Sequence, residues 1–550
     1  MTNTANHVSE EQSRQVAEDS REKEWKNPSF MKELFLGNFR FDLIHPYPER
    51  TEWRPEFTEF YSKFTTFLKN EVDPDKIDLD QDYPPHVLDG LAKLGAFGMK
   101  IPVEYGGLGF DQVEYAKVME TLGAYDANLV ALLSAHQSIG VPQPVKLFGS
   151  EELRKKYLPR CAAGEISAFA LTEPDVGSDP ARLATQVELS PDGDAYILNG
   201  TKLWCTNGTL AKLIVVMAMH PGTRKISAFV VETDWEGISI DHRCHFMGLR
   251  ALANAVISFK DVRIPKENLI GKEGRGLKIA LTTLNDGRLS IPNASVGVAK
   301  ACLYTVRRWG KERMQWGHPI AKHECIAQKI ADIASTTYAM ESIVKLSSEL
   351  SNNKKLDLRL ESAACKEWNT HWGWQIIDDT VQIRGGRGYE TESSMAARGE
   401  EPIIGIERAL RDFRINRIFE GSSEIMHLLM AREAVDKHLE VAGAIIERKN
   451  SLMTKLSALP KIALFYAWWY PTRWLGWSLW PKYSGYGVLA KHLRFIDRSA
   501  RRLARQSFHG MALGQAEGNH WGEAVTLLQT TSSTPFFFNF HNGDLGLLDA

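Results

Sequence analysis

Ala168-Phe169-Ala170-Leu171-Thr172-Glu173-Pro174-Asp175-Val176-Gly177-Ser178-Asp179 is the stretch at which the chain changes its hydrophobic period. A short apolar run ends in a loop of small and polar residues, which reads as the end of a strand. Downstream the same texture continues as Leu213-Ile214-Val215-Val216-Met217, Ile226-Ser227-Ala228-Phe229-Val230-Val231 and Val256-Ile257-Ser258-Phe259. Turn signals at Pro191-Asp192-Gly193, Leu198-Asn199-Gly200 and Thr206-Asn207-Gly208 separate these runs, so residues 166–275 are expected to form a compact antiparallel β domain.

On either side the period is helical. Between residues 49 and 165, Phe60, Phe64, Phe67 and Leu68 recur at helical spacing, and Tyr105-Gly106-Gly107-Leu108-Gly109 punctuates the pattern. After Gly274-Arg275-Gly276 long helical segments are expected near 276–312, 322–351, 360–384 and 422–439, enough for a four-helix bundle over 276–440. Residues 1–48 and 441–550 read as N-terminal and C-terminal extensions. The expected class is mainly α with a central β domain.

The 550 residues exceed what one core usually organises, and a net charge of -2 gives no argument for nucleic acid. Cys161, Cys205, Cys244, Cys302, Cys325 and Cys365 are scattered without C-x-x-C spacing, so free thiols and no metal site are expected. The first thirty residues are polar and acidic, unlike a secretory signal or an Arg-rich transit peptide, and cytoplasmic placement is the expectation.

Chemistry is concentrated in a few segments. In Arg417-Ile418-Phe419-Glu420-Gly421-Ser422-Ser423-Glu424-Ile425 a carboxylate follows an Ile-Phe pair and precedes glycine. Burial there would raise its pKa toward neutrality, suiting a general base, while a helix-starting acid is the plainer alternative. Leu171 and Thr172 in the first loop, with Trp204 and Thr206 in Asn199-Gly200-Thr201-Lys202-Leu203-Trp204-Cys205-Thr206-Asn207-Gly208, offer an aromatic wall and hydroxyl donors for a planar ring system. The alternative is a pair of ordinary turns with a core tryptophan. In Arg313-Met314-Gln315-Trp316-Gly317-His318-Pro319-Ile320 an arginine fork suits a pyrophosphate and the aromatic could stack on adenine. Gln382-Ile383-Arg384-Gly385-Gly386-Arg387-Gly388-Tyr389 is a helix end followed by glycines.

Together these segments resemble the acyl-CoA dehydrogenase family, within it the very-long-chain type with a C-terminal extension, over about residues 35 to 440. The resemblance implies FAD as cofactor, with Leu171, Thr172, Trp204 and Thr206 around the isoalloxazine. It implies Arg313 and Trp316 on the pyrophosphate and adenine side, although the family usually has Phe where Trp316 stands and Gln where Glu324 stands. Gln382, Gly385 and Gly386 would reach the FAD of a neighbouring subunit, hence a homodimer. Ser422 and Glu424 would add FAD contacts in place of the more usual Thr and Gln or Asp. Ser178 would lie beside CoA, and Asn285, Arg288 and Gly421 near the substrate.

The family places its base at one of two positions, matching Glu420 or Gly287, and only the first is an acid here; Asp286 is the local rival. The implied reaction is α,β-dehydrogenation of a long or very-long-chain acyl-CoA to the trans-2-enoyl-CoA, in fatty acid β-oxidation. Electrons would pass to electron-transfer flavoprotein. An oxygen-using acyl-CoA oxidase, and a membrane-bound assembly or scaffold protein that keeps the fold, are the alternatives.

In the C-terminal extension five of the fifteen tryptophans, Trp468, Trp469, Trp474, Trp477 and Trp480, fall within thirteen residues. From Lys449 to Arg505 eleven Lys or Arg stand against one acid, Asp497. Pro471, Arg473 and Gly476 interrupt the apolar run, which is too short to span a bilayer, so 449–505 is expected to lie peripherally on the inner face of the membrane. A Trp-rich helical core or a protein-partner surface is the competing reading. Residues 130–148 resemble the family helix lining the acyl cavity, but Pro142, Gln143 and Pro144 depart from its small and apolar pattern and leave chain length open. No role is assigned to 531–550.

Overall fold

The computed structural model describes residues 28–48, 50–353, 356–400, 404–446, 450–474 and 482–516, the side chains of Asp286, Ile446 and 512–516 excepted. The expected rival base Asp286, the tryptophans Trp477 and Trp480, and the 531–550 stretch therefore fall outside what is described. The chain divides into two compact units: one holds 50–352 and 365–421, the other holds 25–49, 353–364 and 422 onward.

In the first unit the helical portion is built on α1 (Pro55–Glu71) and α2 (Gln112–Gly123). Phe57, Phe60, Phe64 and Leu68 form the buried stripe of α1, and α2 opens on an Asp111/Glu114 capping box that satisfies its first N–H groups. Between α2 and the first strand lie the helix Ala127–Ser134 and a π-helical turn, Ala135–Ile139, whose His136, Gln137 and Ser138 are buried. Such a π turn breaks the regular ladder and is often found at functional sites.

The sheet comprises β1 (Ser167–Ala170), β2 (Gln186–Leu189), β3 (Ala195–Cys205), β4 (Leu213–Met219), β5 (Ile226–Glu232), β6 (Ile238–Arg243) and β7 (Ala255–Pro265). Its order is β1-β4-β2-β3-β7-β6, with β5 also on β4. Two features differ from the sequence expectation. The sheet is mixed, because β1 and β2 both run parallel to β4. Asn199-Gly200 is no hairpin turn: β3 runs through it with a shift of register against β7 between Leu198 and Gly200. Gly200 takes φ +148 there, and a Cβ would meet Thr185 Cα at 2.6 Å, so the glycine serves a bulge and a close strand approach. A second bulge between Lys202 and Cys205 carries Trp204.

Three long helices follow, α3 (Gly276–Glu312), α4 (Glu324–Ser351) and α5 (Arg359–Arg384). Leu289, Val296 and Cys302 of α3, Ile333, Met340 and Val344 of α4, and Cys365, Ile376 and Ile377 of α5 share one core. α3 and α4 are joined through a small hairpin, β8 (Met314–Gln315) and β9 (His318–Pro319).

The second unit holds α6 (Ser423–Ala434), α7 (Asp436–Ile446), α8 (Leu452–Trp474) and α9 (Ala490–Ala516). The single helix expected over 422–439 is broken at Val435. Trp469, His438, Phe465, Tyr466 and Phe508 form an aromatic cluster, and Trp469 Nε1 donates to Leu36 O at 3.0 Å. The opposite side of α8 exposes Leu452, Met453, Leu456, Leu459, Leu464 and Trp468, the last two at 77%. α8 is thus core on one side and apolar surface on the other. Among the described residues no helix is long and apolar enough to cross a membrane.

Candidate active site

Glu420 is not in a first helical turn. It follows a short 3-10 helix, Arg414–Arg417, and takes the left-handed conformation, φ +51, with Gly421 at φ +94. A non-glycine residue there costs roughly 1 kcal/mol or more, and such strain persists only where the surroundings over-determine it. Those surroundings come from α3 and α5. A Cβ built on Gly287 would lie 2.8 Å from Glu420 Oε2, so the glycine leaves the space the carboxylate occupies. Lys366, fully buried on α5, donates from Nζ to Gly421 O at 2.6 Å.

Glu420 as a residue is partly exposed, but its Oε2 is shielded from solvent and has no hydrogen-bond partner. Burial pushes its carboxyl up to about 7, against the pull of Lys366 and Arg288. Burial also brings Lys366 down to about 8 and Arg288 down to about 10, each opposed by the charge of Glu420. Arg288 Nη1 donates to Asn285 Oδ1 at 2.9 Å, which places two expected substrate-side residues together beside the carboxylate. Behind them is a buried hydroxyl chain: Tyr115 OH lies 3.3 Å from Ser138 Oγ, which lies 2.9 Å from Ser290 Oγ. A half-ionised carboxylate at neutral pH, with an unused lone pair and two cations in support, is the equipment of a general base.

The two segments expected to bind the ring are also brought together. Leu203 N donates to Thr172 O at 2.9 Å, and Lys202 Nζ to Leu171 O at 3.2 Å. Lys202, fully buried, pairs with Glu173 Oε1 at 2.7 Å, while Glu173 accepts from Ala184 N and Thr185 N. Trp204, φ +55, stands 57% exposed on its bulge, and Asn254 Nδ2 donates to Thr206 Oγ1 at 3.4 Å, leaving the Thr206 hydroxyl proton to donate. An exposed indole beside hydroxyl donors on a stapled backbone fits a flat, hydrogen-bonding ring such as isoalloxazine. Ser178 lies exposed on the loop that follows.

A further group lies at the end of α3. The guanidinium carbons of Arg313, Arg384 and Arg387 lie 5.8, 4.6 and 5.5 Å from the Trp309 ring centroid, so the Arg313 and Gln382–Gly386 segments converge. Gln382, Gly385 and Gly386 are exposed, with open space where a Cβ on either glycine would stand. Trp316 is 92% exposed at the tip of the β8–β9 hairpin. In the second unit Ser422 is the N-cap of α6, its Oγ accepting from Ile425 N at 3.4 Å, and Glu424 lies in the first turn.

Three models of the acyl-CoA dehydrogenase family match the chain: the N-terminal domain at 54–165, the middle domain at 168–262 and the C-terminal domain at 274–435. The chain is 52% identical over 515 residues to the probable acyl-CoA dehydrogenase FadE10 of Mycobacterium tuberculosis, covering 92% of this chain and 79% of that one. It belongs to the acyl-CoA dehydrogenase family. The very long-chain specific acyl-CoA dehydrogenase of Homo sapiens, a mitochondrial protein, is 36% identical over 440 residues, 77% of this chain and 65% of its own length. The butyryl-CoA dehydrogenase structure from Megasphaera elsdenii superposes with a TM-score of 0.64 at 28% identity, covering 72% of this chain and all of that one. The fold of this family member, helical N- and C-terminal domains around a curled central sheet, is the expected one. It is an FAD-dependent oxidoreductase acting on acyl-CoA.

Sequence reading assigned no role to Glu173, Lys202 or Lys366. The signal for Lys202 was its inward register in β3, in step with Tyr196 and Leu198. Lys366 sits on the buried face of α5 between Ser362 and Asn369, where an unpaired lysine is costly.

Proposed function

We propose that this acyl-CoA dehydrogenase acts on long or very-long straight acyl chains, with Glu420 taking the α-proton of the thioester. The observation that supports the reading is the Gly287–Glu420 fit, in which the glycine leaves the space that the Glu420 carboxylate occupies, where burial raises that carboxyl to about 7. When bound, FAD supplies the acceptor for the hydride leaving the β carbon. Leu171, Thr172, Trp204 and Thr206 hold and cover the ring, and the Glu420 N–H donates to the thioester carbonyl, so that charge developing on that oxygen is met by a fixed dipole. Arg288, hydrogen-bonded to Asn285, adds a cation beside the carboxylate. Ser178 meets CoA.

Arg313, Trp316, Gln382, Gly385 and Gly386 serve the pyrophosphate and adenine half of FAD across a homodimer interface, with Ser422 and Glu424 adding contacts after the base. The open space at Gly385 and Gly386 supports a neighbouring chain there. Electrons leave to electron-transfer flavoprotein. The exposed apolar side of α8, with the exposed Lys491, Arg498 and Arg502 of α9, seats the protein on the inner face of the membrane, where a long acyl chain partitions. Anaerobic mixing of the holoenzyme with acyl-CoA of increasing length tests the substrate class. Flavin bleaching should be fastest with long chains; fastest bleaching with butyryl-CoA would remove that part of the reading.

A further inference from the structure

Lys366 is a buried charge that proton removal by Glu420 does not itself require. A lysine whose only task was to satisfy Gly421 O would be an expensive choice, since a neutral donor does the same without desolvating an ammonium. The groups facing it decide otherwise. From the loop come Glu420 and Arg417, from α3 Arg288, and from its own helix Glu367; Glu420 and Glu367 favour the ammonium, whereas Arg288 and Arg417 oppose it. Glu420 in turn is faced by Lys366, Arg288 and the Tyr115 phenol of α2.

We propose that Lys366 is a positioning residue for the base: its hydrogen bond to Gly421 O holds the left-handed turn that aims Glu420, and its cation sets how readily that carboxylate ionises. The inference rests on Glu420 being the base. Its two parts are separable. The hydrogen bond constrains two consecutive residues of positive φ, of which only one is glycine, and the charge acts through space on a carboxylate whose Oε2 has no hydrogen-bond partner. Removing the cation raises the carboxyl pKa, so activity is lost chiefly at low pH.

The test is the pH profile of kcat/KM for holoenzyme carrying Lys366→Met, Lys366→Gln or Lys366→Arg, with Glu420→Gln as the control for the base. The acid limb is expected to move up by about one pH unit in the Met and Gln variants, roughly a tenfold loss at pH 6. Near pH 9, where the wild-type Lys366 is itself neutral yet still donates to Gly421 O, the charge effect should vanish, and Lys366→Met should keep a pH-independent loss of kcat that reads the missing hydrogen bond. Lys366→Arg, which keeps the cation, should hold the limb in place. An unmoved limb in the neutral variants, or an equal shift in Lys366→Arg, overturns the proposal. Should the neutral variants give no folded flavoprotein, Lys366→Arg decides: a wild-type limb supports the charge role and a displaced limb removes it. If Glu420→Gln still bleaches its flavin, the base assignment fails instead, whatever the Lys366 variants do.

Discussion

Gly287 of α3 faces the carboxylate of Glu420 so closely that a Cβ on the glycine would stand 2.8 Å from Oε2 and 3.1 Å from Ile139 Cγ2. The obstructed group is the end of a flexible side chain, so the fold can yield while the carboxylate moves. Gly287→Ala should therefore leave unfolding stability nearly unchanged, the helical gain of roughly 0.5–1 kcal/mol offsetting the contact. It should lower kcat by about tenfold or more through misplacement of the base. Urea unfolding and steady-state turnover on one preparation check both halves.

The carboxyl of Glu420, raised to about 7, sets a sign for pH. Only the ionised form accepts a proton, so kcat/KM should fall as pH drops through 7, one proton being taken up. Linkage runs the other way for stability. Between the ordinary value of 4.5 and about 7 the folded chain binds a proton that the unfolded chain releases, so this group's contribution declines as pH rises through that window. Thermal melts from pH 4.5 to 8 should show Glu420→Gln gaining on the wild type as pH increases.

Lys202 of β3 and Glu173 form a buried pair that ties together the two segments proposed to hold the flavin ring. Removing one partner leaves an uncompensated buried charge, at a cost of about 3–5 kcal/mol. Lys202→Met should destabilise the protein by that order and weaken FAD retention, and Glu173→Gln added to it should recover part of the stability. Chemical unfolding with and without added FAD measures each.

The apolar side of α8 gives a surface prediction. Leu464→Glu with Trp468→Glu replaces two side chains, each 77% exposed, with acids. Co-sedimentation with anionic vesicles should drop several-fold while the flavin spectrum and turnover on a soluble acyl-CoA stay unchanged. Equal sedimentation of the variant and the wild type would point to a protein partner for this face.

How much of this was legible in the sequence depends on the range of the forces involved. α1 and the helix over Gly276–Glu312 are written in local periodicity, and the Glu420 loop in the neighbouring Phe419 and Gly421. The parallel pairing of β1 with β4 was not legible, because Ser167 meets Leu213 across a long stretch of chain and register is a tertiary property. Asn199-Gly200 looks like a turn because Asn-Gly is a common hairpin signal, and only the close approach of Thr185, just before β2, marks it as a bulge. Lys366 carries no local mark at all. Its importance comes from a loop 55 residues later in sequence that folds back against it.

The most direct measurement is anaerobic flavin bleaching by Glu420→Gln holoenzyme with a long-chain acyl-CoA. The variant is expected to bind the ligand, seen as a perturbed flavin spectrum, and to leave the flavin oxidised. Full bleaching of that variant, with Asp286→Asn inactive in its place, would contradict Glu420 as the base.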